Sequence, residues 1–149
     1  MAHIYPVRIQ AGFDWNEWIG LPYATGGRGP TVYDCWGLTR SVIVAGTGIL
    51  LPEFSQGYEN TDLEGDVPSF IQAQRECEHW QRIPIAEAQP FDAMLFRVGG
   101  RVNHIGPVIK KGLFLHISKA SGSFPESYTG VKWHQRIVEC YRATNVYTP

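Results

Sequence analysis

The sequence predicts one α+β domain over residues 1–149, with helices in its first half and an antiparallel sheet in its second half. The length of 149 residues matches one domain of ordinary size. Hydrophobic residues make up 44% of the chain and charged residues 18%, so a core can form and disorder is excluded as the main state. Helical spacing precedes strand-like runs along the chain, an order typical of α+β proteins and not of alternating parallel sheets.

The clearest helix is predicted over residues 34–45. Its apolar positions recur at spacings of 3, 4 and 3, which is one helical face: Cys35, Leu38, Val42 and Ala45. Asp34 is a favourable N-cap residue, and Gly46 fits a C-cap. This interpretation places Cys35 in the first turn of the helix.

Prolines and glycines divide the rest of the first half. Residues 15–21 are predicted to form a short helix, and residues 23–31, which contain three glycines, a loop. Residues 51–66 are polar and rich in turn formers, so we expect a surface loop there. A second helix is predicted from Pro68 to about residue 80, because proline suits the first turn of a helix.

Four strands are expected after Pro90. They cover residues 93–98, 104–110, 112–118 and 136–141. The dipeptides Gly-Gly and Lys-Gly between the first three strands are turn signals. The first three strands are therefore expected to follow one another as hairpins.

Charge and hydropathy exclude several classes of function. The 13 basic and 14 acidic residues give a net charge of −1, which argues against a nucleic-acid binder and gives no reason to bind an anionic membrane. The longest apolar stretch, residues 42–51, is about half of the ~20 residues that a membrane span needs. Residues 1–10 lack the apolar segment of a signal peptide. We therefore expect cytoplasmic synthesis without a signal peptide, and no membrane insertion.

The three cysteines do not predict a disulfide framework. Their number is odd, their spacing is wide, and no pair has the C-x-x-C spacing of a zinc or redox site: Cys35, Cys77 and Cys140. We expect Cys77 and Cys140 to be core or semi-buried thiols. No metal and no other cofactor is expected.

A thiol and two histidines form the candidate catalytic set. The positive end of a helix dipole favours the thiolate of Cys35. His104 and His116 lie 12 residues apart in neighbouring strands of the expected hairpin, and paired strands are ~4.8 Å apart. A thiol nucleophile needs a base and a group that orients the base. These residues predict a hydrolase, and zinc bound by the same three side chains is an open alternative.

Several motifs in order resemble the NlpC/P60 family of cysteine peptidases. Residues 33–38 (Tyr-Asp-Cys-Trp-Gly-Leu), after a Leu-Pro-Tyr and a glycine-rich loop, are similar to the nucleophile motif of that family. Residues 90–96 (Pro-Phe-Asp-Ala-Met-Leu-Phe), 103–106 (Asn-His-Ile-Gly) and 115–117 (Leu-His-Ile) are similar to its following strands. The order and rough distances agree over about residues 12–120.

The resemblance implies a small papain-like fold, with N-terminal helices packed on an antiparallel sheet of about four to six strands. It also implies hydrolysis of peptide bonds in peptidoglycan stem peptides. Carried over to this chain, Cys35 is the nucleophile, His104 is the general base and acid, and His116 orients His104.

Substrate-binding residues are also implied by the resemblance. Tyr23 and Asp34 match positions that line the substrate pocket of the family. Trp36 replaces the usual small serine after the nucleophile, and we expect its ring to reshape the subsite.

The chain resembles most the short, single-domain members of this family that occur in phage and prophage tail modules. That resemblance implies assembly into a tail, tail proteins as partners, and delivery to the host cell wall. Two alternatives remain open. One is a catalytically silent structural tail-assembly protein, and the other is a thiol amidase or acyltransferase that uses the same residues.

Overall fold

One antiparallel sheet of six strands organises the part of the chain that the computed structural model describes, residues 9–51 and 80–144. The strands in chain order are β1 (Trp80–Ile83), β2 (Ala93–Val98), β3 (Arg101–Lys110), β4 (Leu113–Ser118), β5 (Gly122–Ser127) and β6 (Ile137–Ala143). Their order across the sheet is β1-β6-β2-β3-β4-β5, so β1 and β5 form its edges. The predicted α+β class with an antiparallel sheet is confirmed.

Two α-helices and two 3-10 helices accompany the sheet in the described residues. Helix α1 covers Cys35–Thr47 and packs against β3 and β4, and the short helix α2 covers Val131–His134. The 3-10 helices cover Trp15–Trp18 and Ile85–Glu87, and the first confirms the short helix predicted there. Within the described ranges, no helix combines the length and apolar character that crossing a membrane requires.

Helix α1 begins where the sequence predicts. The Asp34 side chain accepts a hydrogen bond from the Gly37 N–H at 2.7 Å, which satisfies one of the unpaired donors of the first turn. Leu38, Val42 and Ile43 are buried on the inner side of the helix. The N-cap prediction is therefore confirmed, and Cys35, Leu38 and Val42 of the predicted face are buried, but Ala45 was wrongly assigned to that face because it is exposed.

The end of α1 differs from the prediction. The C-cap is Gly48, which adopts the left-handed conformation at φ 76° and donates its N–H to the Val44 carbonyl at 3.0 Å. Gly46 was the wrong choice for this cap because it lies inside the helix, against the ring of Phe91. A Cβ on Gly46 would overlap that ring, so this glycine serves close packing.

The four predicted strands are present as β2, β3, β4 and β6, with small shifts at their ends. The two edge strands, β1 and β5, were not predicted. Strand β1 has only four residues, and Pro125 in β5 argues against a strand unless it lies at an edge. Residue 80 was expected to end a helix but begins β1. The rest of that predicted helix, and the predicted loop after residue 51, lie outside the described residues.

The two faces of the sheet carry separate hydrophobic clusters, because successive side chains of a strand point to opposite sides. One cluster joins α1 to the sheet through residues such as Trp36, Leu38, Leu95 and Leu115. The other joins α2 to alternate residues of the same strands and to β6: Met94, Phe96, Phe114, Trp133 and Cys140. The two helices therefore pack against different clusters, and the sheet lies between them.

Candidate active site

A cavity of about 460 Å³ lies where the amino end of α1, strands β3 and β4 and helix α2 meet. Four residues singled out in the sequence line it: Tyr23, Cys35, His104 and His116. The other lining residues are Val98, Ile117, Ser118, Lys119, Lys132, Trp133 and Arg136. The fold therefore brings the thiol and both imidazoles to one cavity.

Cys35 occupies the first turn of α1 and is 3% exposed. Backbone contacts hold this turn, because the Gly27 carbonyl accepts the Asp34 N–H at 3.0 Å and a Cβ on Gly37 would overlap the same carbonyl. The Asp34 carboxylate also pairs with Arg28 Nη1 at 2.7 Å. The sulfur thus lies at the positive end of a firmly held helix, which favours the thiolate.

His104 and His116 are hydrogen-bonded to each other across the β3–β4 hairpin. The distance between Nε2 of His104 and Nδ1 of His116 is 2.8 Å. One of these nitrogens donates a proton and the other accepts it. Because Nε2 of His104 is engaged in this bond, Nδ1 is the nitrogen that this ring has left for a substrate or a thiol.

Both imidazoles are neutral near pH 7. Burial, together with the charge of His116, lowers the pKa of His104 to about 3. Burial also lowers the pKa of His116; the Glu126 carboxylate opposes this effect and the Lys132 ammonium adds to it. The resting pair is therefore able to accept a proton and not to donate one as an imidazolium.

Trp133 of α2 forms the wall behind the histidine pair. Its ring is stacked near His104, with centroids 5.7 Å apart and planes 25° apart, and it lies 5.1 Å from the His116 ring. Phe96 and Phe114 pack edge-to-face on the same tryptophan. Trp133 is 3% exposed, so this wall excludes water from one side of both imidazoles.

Two basic side chains lie over the Trp133 ring. Lys132 Nζ is 5.3 Å and the Arg136 guanidinium carbon is 5.4 Å from its centroid, which is within range of a cation–π interaction. Lys132 also pairs with Glu126 at 3.3 Å. Lys132 and Arg136 give this side of the cavity a positive rim.

The three residues predicted to bind substrate occupy different environments. Tyr23 lines the cavity, and its segment pairs with Tyr33 through an isolated bridge. Asp34 is fully buried and caps α1. Trp36 is 1% exposed and packs edge-on against Trp80. The structure therefore brings Tyr23 to the cavity and keeps the side chains of Asp34 and Trp36 in the interior.

The sequence analysis did not single out the residues of the α2 wall. Lys132 and Trp133 lie in a segment without strand or helix periodicity, and Arg136 was predicted only as the first residue of a strand. A tryptophan between basic residues was the only local signal. Their place in the cavity depends on the path of the chain from β5 to β6, which no local pattern specifies.

Cys140, the second cysteine in the described residues, does not line this cavity. Cys140 is fully buried in β6, as predicted for a core thiol, whereas Cys77 lies outside the described residues. In residues 9–51 and 80–144, no three His, Cys, Asp or Glu side chains are grouped so that they could hold a metal ion. The zinc alternative therefore has no support from the arrangement of its ligands.

The fold and the cavity define a small α+β domain whose site combines a helix-terminal thiol with a pair of imidazoles. The model of the NlpC/P60 family matches residues 20–142. The chain belongs to the NlpC/P60 family, as the sequence motifs indicated.

Curated relatives include proteins named probable endopeptidase p60. The protein from Listeria seeligeri is 29% identical over 121 residues, which are 80% of this chain and 19% of the relative. The protein from Listeria innocua is 28% identical over 121 residues, again 80% of this chain and 21% of the relative. The chain thus spans about a fifth of the length of the curated relatives that it matches.

Solved structures share the fold. An NLP/P60 family protein from Staphylococcus aureus superposes with a TM-score of 0.57 at 24% identity, covering 85% of this chain and 38% of that one. The NlpC/p60 domain of the peptidoglycan hydrolase SagA superposes with a TM-score of 0.54 at 22% identity, covering 85% and 91%. These likenesses confirm the predicted papain-like α+β fold.

Proposed function

We propose that this chain is a cysteine peptidase that hydrolyses peptide bonds in peptidoglycan stem peptides. Cys35 is the nucleophile, His104 the general base and acid, and His116 the residue that orients His104. The observation that carries the proposal is that these three side chains line one cavity, with the two rings joined at 2.8 Å. Membership of the NlpC/P60 family and the endopeptidase and hydrolase names of its relatives support it.

The tautomers of the pair follow from the proposed roles. His104 accepts the thiol proton at Nδ1, so its Nε2 carries hydrogen and donates to Nδ1 of His116. His116 then carries its own proton on Nε2. This bond stabilises the imidazolium that forms on His104 when the proton arrives, as the carboxylate does in serine triads.

Catalysis proceeds in two stages. The Cys35 sulfur attacks the peptide carbonyl, and the C–N bond breaks as His104 returns its proton to the leaving amine. Water then attacks the thioester with His104 again as base, which releases the new carboxylate and restores the thiol. The positive end of α1 and the backbone N–H of Cys35 stabilise the oxyanion in both stages.

Mass analysis of products from defined stem peptides tests this proposal. Wild-type protein is expected to cleave a single bond and release two fragments whose masses sum to that of the peptide plus one water, and Cys35→Ala protein is expected to release none. Cys140→Ala protein removes a thiol of the sheet interior and should retain hydrolysis. Activity that survives in Cys35→Ala protein would contradict the proposal.

The same experiment separates the alternatives that use this site. An amidase would release ammonia from a side-chain or terminal amide, and an acyltransferase would give products extended by an added amine. A structural tail-assembly protein would give no products with any variant. The distribution of products over these four outcomes therefore identifies the reaction.

The tail setting is a further part of the proposal and is supported by the sequence resemblance. We therefore expect this protein to co-purify with phage or prophage particles. Particles with the Cys35→Ala substitution should still assemble but should deliver less DNA through an intact cell wall. Particles that never contain the protein would contradict this setting and leave the chemistry unaffected.

A further inference from the structure

We propose that Arg136, assisted by Lys132, forms a subsite that binds a carboxylate of the peptide beside the histidine pair. This inference rests on the proposed function and adds a property of the substrate to it. The subsite selects peptides that carry a free carboxylate close to the bond that is cleaved.

The pairing of the arginines distinguishes Arg136 from those in the interior. Arg28 binds Asp34 at 2.7 Å, and Arg142 binds Asp92 at 2.8 Å. Arg136 lines the cavity and is exposed, and no carboxylate of the described residues lies within ion-pair distance of it. Its guanidinium is therefore able to receive an anion from a bound molecule.

The position of Arg136 favours recognition of a planar anion. Its guanidinium lies over the Trp133 ring, and Trp133 is itself fixed by the aromatic side chains of the sheet. A guanidinium held on an aromatic face loses little freedom when it binds, and its fork matches the two oxygens of a carboxylate. A lysine lacks this match.

The charge of the cavity lining also favours an anionic ligand. Three of the described lining residues are cationic, namely Lys119, Lys132 and Arg136, and none of the described lining residues is acidic. The nearby Glu126 pairs with Lys132 through an exposed contact at 3.3 Å, which a ligand can replace at small cost. Because both imidazoles are neutral, the fixed charge on this wall is positive and attracts anions.

The size of the cavity restricts the ligand. About 460 Å³ is in the range of pockets that hold small molecules. Because Cys35 lines the same cavity as Arg136, one short peptide can present its carbonyl to the sulfur and its carboxylate to the guanidinium.

Binding to full-length Cys35→Ala protein tests the subsite without requiring hydrolysis. The probes are two synthetic stem peptides that are identical except that the carboxyl groups are free in one and amidated in the other. Calorimetry is expected to show about tenfold tighter binding of the free acid, the effect of one charge-assisted hydrogen-bonded pair. Adding Arg136→Gln should remove most of that preference and leave binding of the amide unchanged.

Two further variants act as controls. Arg136→Lys keeps the charge and loses the fork, so it should retain only part of the preference. Lys110→Gln removes an exposed cation of β3 that does not line the cavity. This variant should retain the full preference for the free acid over the amide. Because Arg136 is exposed, its variants should keep the wild-type circular dichroism spectrum.

The outcomes separate the two proposals. Equal affinity for the acid and the amide, or a preference that survives Arg136→Gln, would overturn the subsite and leave the proposed function standing. Binding of neither peptide would overturn the proposed function, and the subsite with it.

Discussion

Two thiols of this protein each lie near a pair of titratable groups, but one thiol lines a cavity and the other lies inside the sheet. Cys35 shares its cavity with His104 and His116. Cys140, in the middle of β6, is influenced by the charges of Asp92 and Arg142. Burial raises the pKa of Cys140, and the Asp92 carboxylate raises it further. The histidine pair shares a cavity with Cys35, whereas burial and the Asp92 carboxylate favour the protonated form of the Cys140 thiol.

The Asp92–Arg142 pair and the His104–His116 pair differ in how many of their hydrogen-bonding atoms are already used. The Asp92 carboxylate accepts hydrogen bonds from Arg142 Nε and Nη2 at 2.8 Å each and from the Gln89 N–H at 2.8 Å. The histidine pair makes one mutual hydrogen bond, which leaves Nδ1 of His104 and Nε2 of His116 outside it. A saturated polar pair stabilises structure, whereas a pair with uncommitted ring nitrogens at a cavity can carry out chemistry.

Alkylation measures the largest expected difference between the two thiols. In a Cys77→Ser background, iodoacetamide should modify Cys35 at least about a thousandfold faster than Cys140, because Cys140 is 0% exposed and reacts only when the core opens. Peptide mass mapping over time gives both rates. In urea the two rates should converge, and similar rates in the native protein would contradict the comparison.

Removal of the saturated pair tests its structural role. Asp92→Ala leaves the buried Arg142 guanidinium without its carboxylate, and we expect the free energy of unfolding to fall by about 3–5 kcal/mol. Arg142→Met in the same protein should recover part of this loss, because it removes the buried charge. Urea denaturation measures both effects, and a loss below about 1 kcal/mol would show that the pair contributes little.

Removal of His116 should affect chemistry more than stability. Without its partner, His104 loses the acceptor that fixes its tautomer, and we expect His116→Ala to lower kcat about a hundredfold with little change in KM. His116→Asn can still accept this hydrogen bond and should retain part of the activity. Steady-state kinetics on a stem peptide provides the measurement, and wild-type kcat in His116→Ala protein would exclude an orienting role.

The pH dependence of stability should distinguish the histidine pair from the rest of the core. The pKa of His104 falls from its ordinary value of 6.5 to about 3 in the folded protein. Between these values the unfolded chain binds a proton that the folded chain does not, so the free energy of unfolding decreases as the pH falls. At pH 5 this amounts to about 2 kcal/mol.

His104→Gln provides the control for this effect. It removes the titrating ring, so its unfolding free energy should fall less between pH 7 and pH 5 than that of the wild type. Urea denaturation at the two pH values gives the comparison. Equal slopes for both proteins would show that folding does not lower the pKa of His104.

Local patterns predicted the positions of the reactive groups well. Asp34 marked the start of α1 and thereby placed Cys35 in its first turn. The separation of His104 and His116 predicted a hairpin that brings them together, and they are bonded at 2.8 Å. These features depend on capping, turn chemistry and strand spacing, all of which are encoded within a few residues.

Features that depend on packing between distant segments could not be predicted in this way. Trp36 was expected at the substrate, but its side chain is 1% exposed against Trp80, and no periodicity shows which side of the first turn meets the sheet. Glycine is common at helix C-caps, but Gly46 lies inside the helix, where its missing side chain leaves room for the Phe91 ring. Trp133 reaches the histidines only through the path of the chain between β5 and β6.

The contact between Gly37 and Gly27 has a consequence for how accurately the sulfur is held. Here two stretches of main chain meet with no side chain between them, so no rotamer change can absorb an error. Even alanine at position 37 would push the helix end away from the loop that carries Tyr23. The distance between the first turn of α1, which carries the Cys35 thiol, and the loop that carries Tyr23 is therefore set by direct contact of the two backbones.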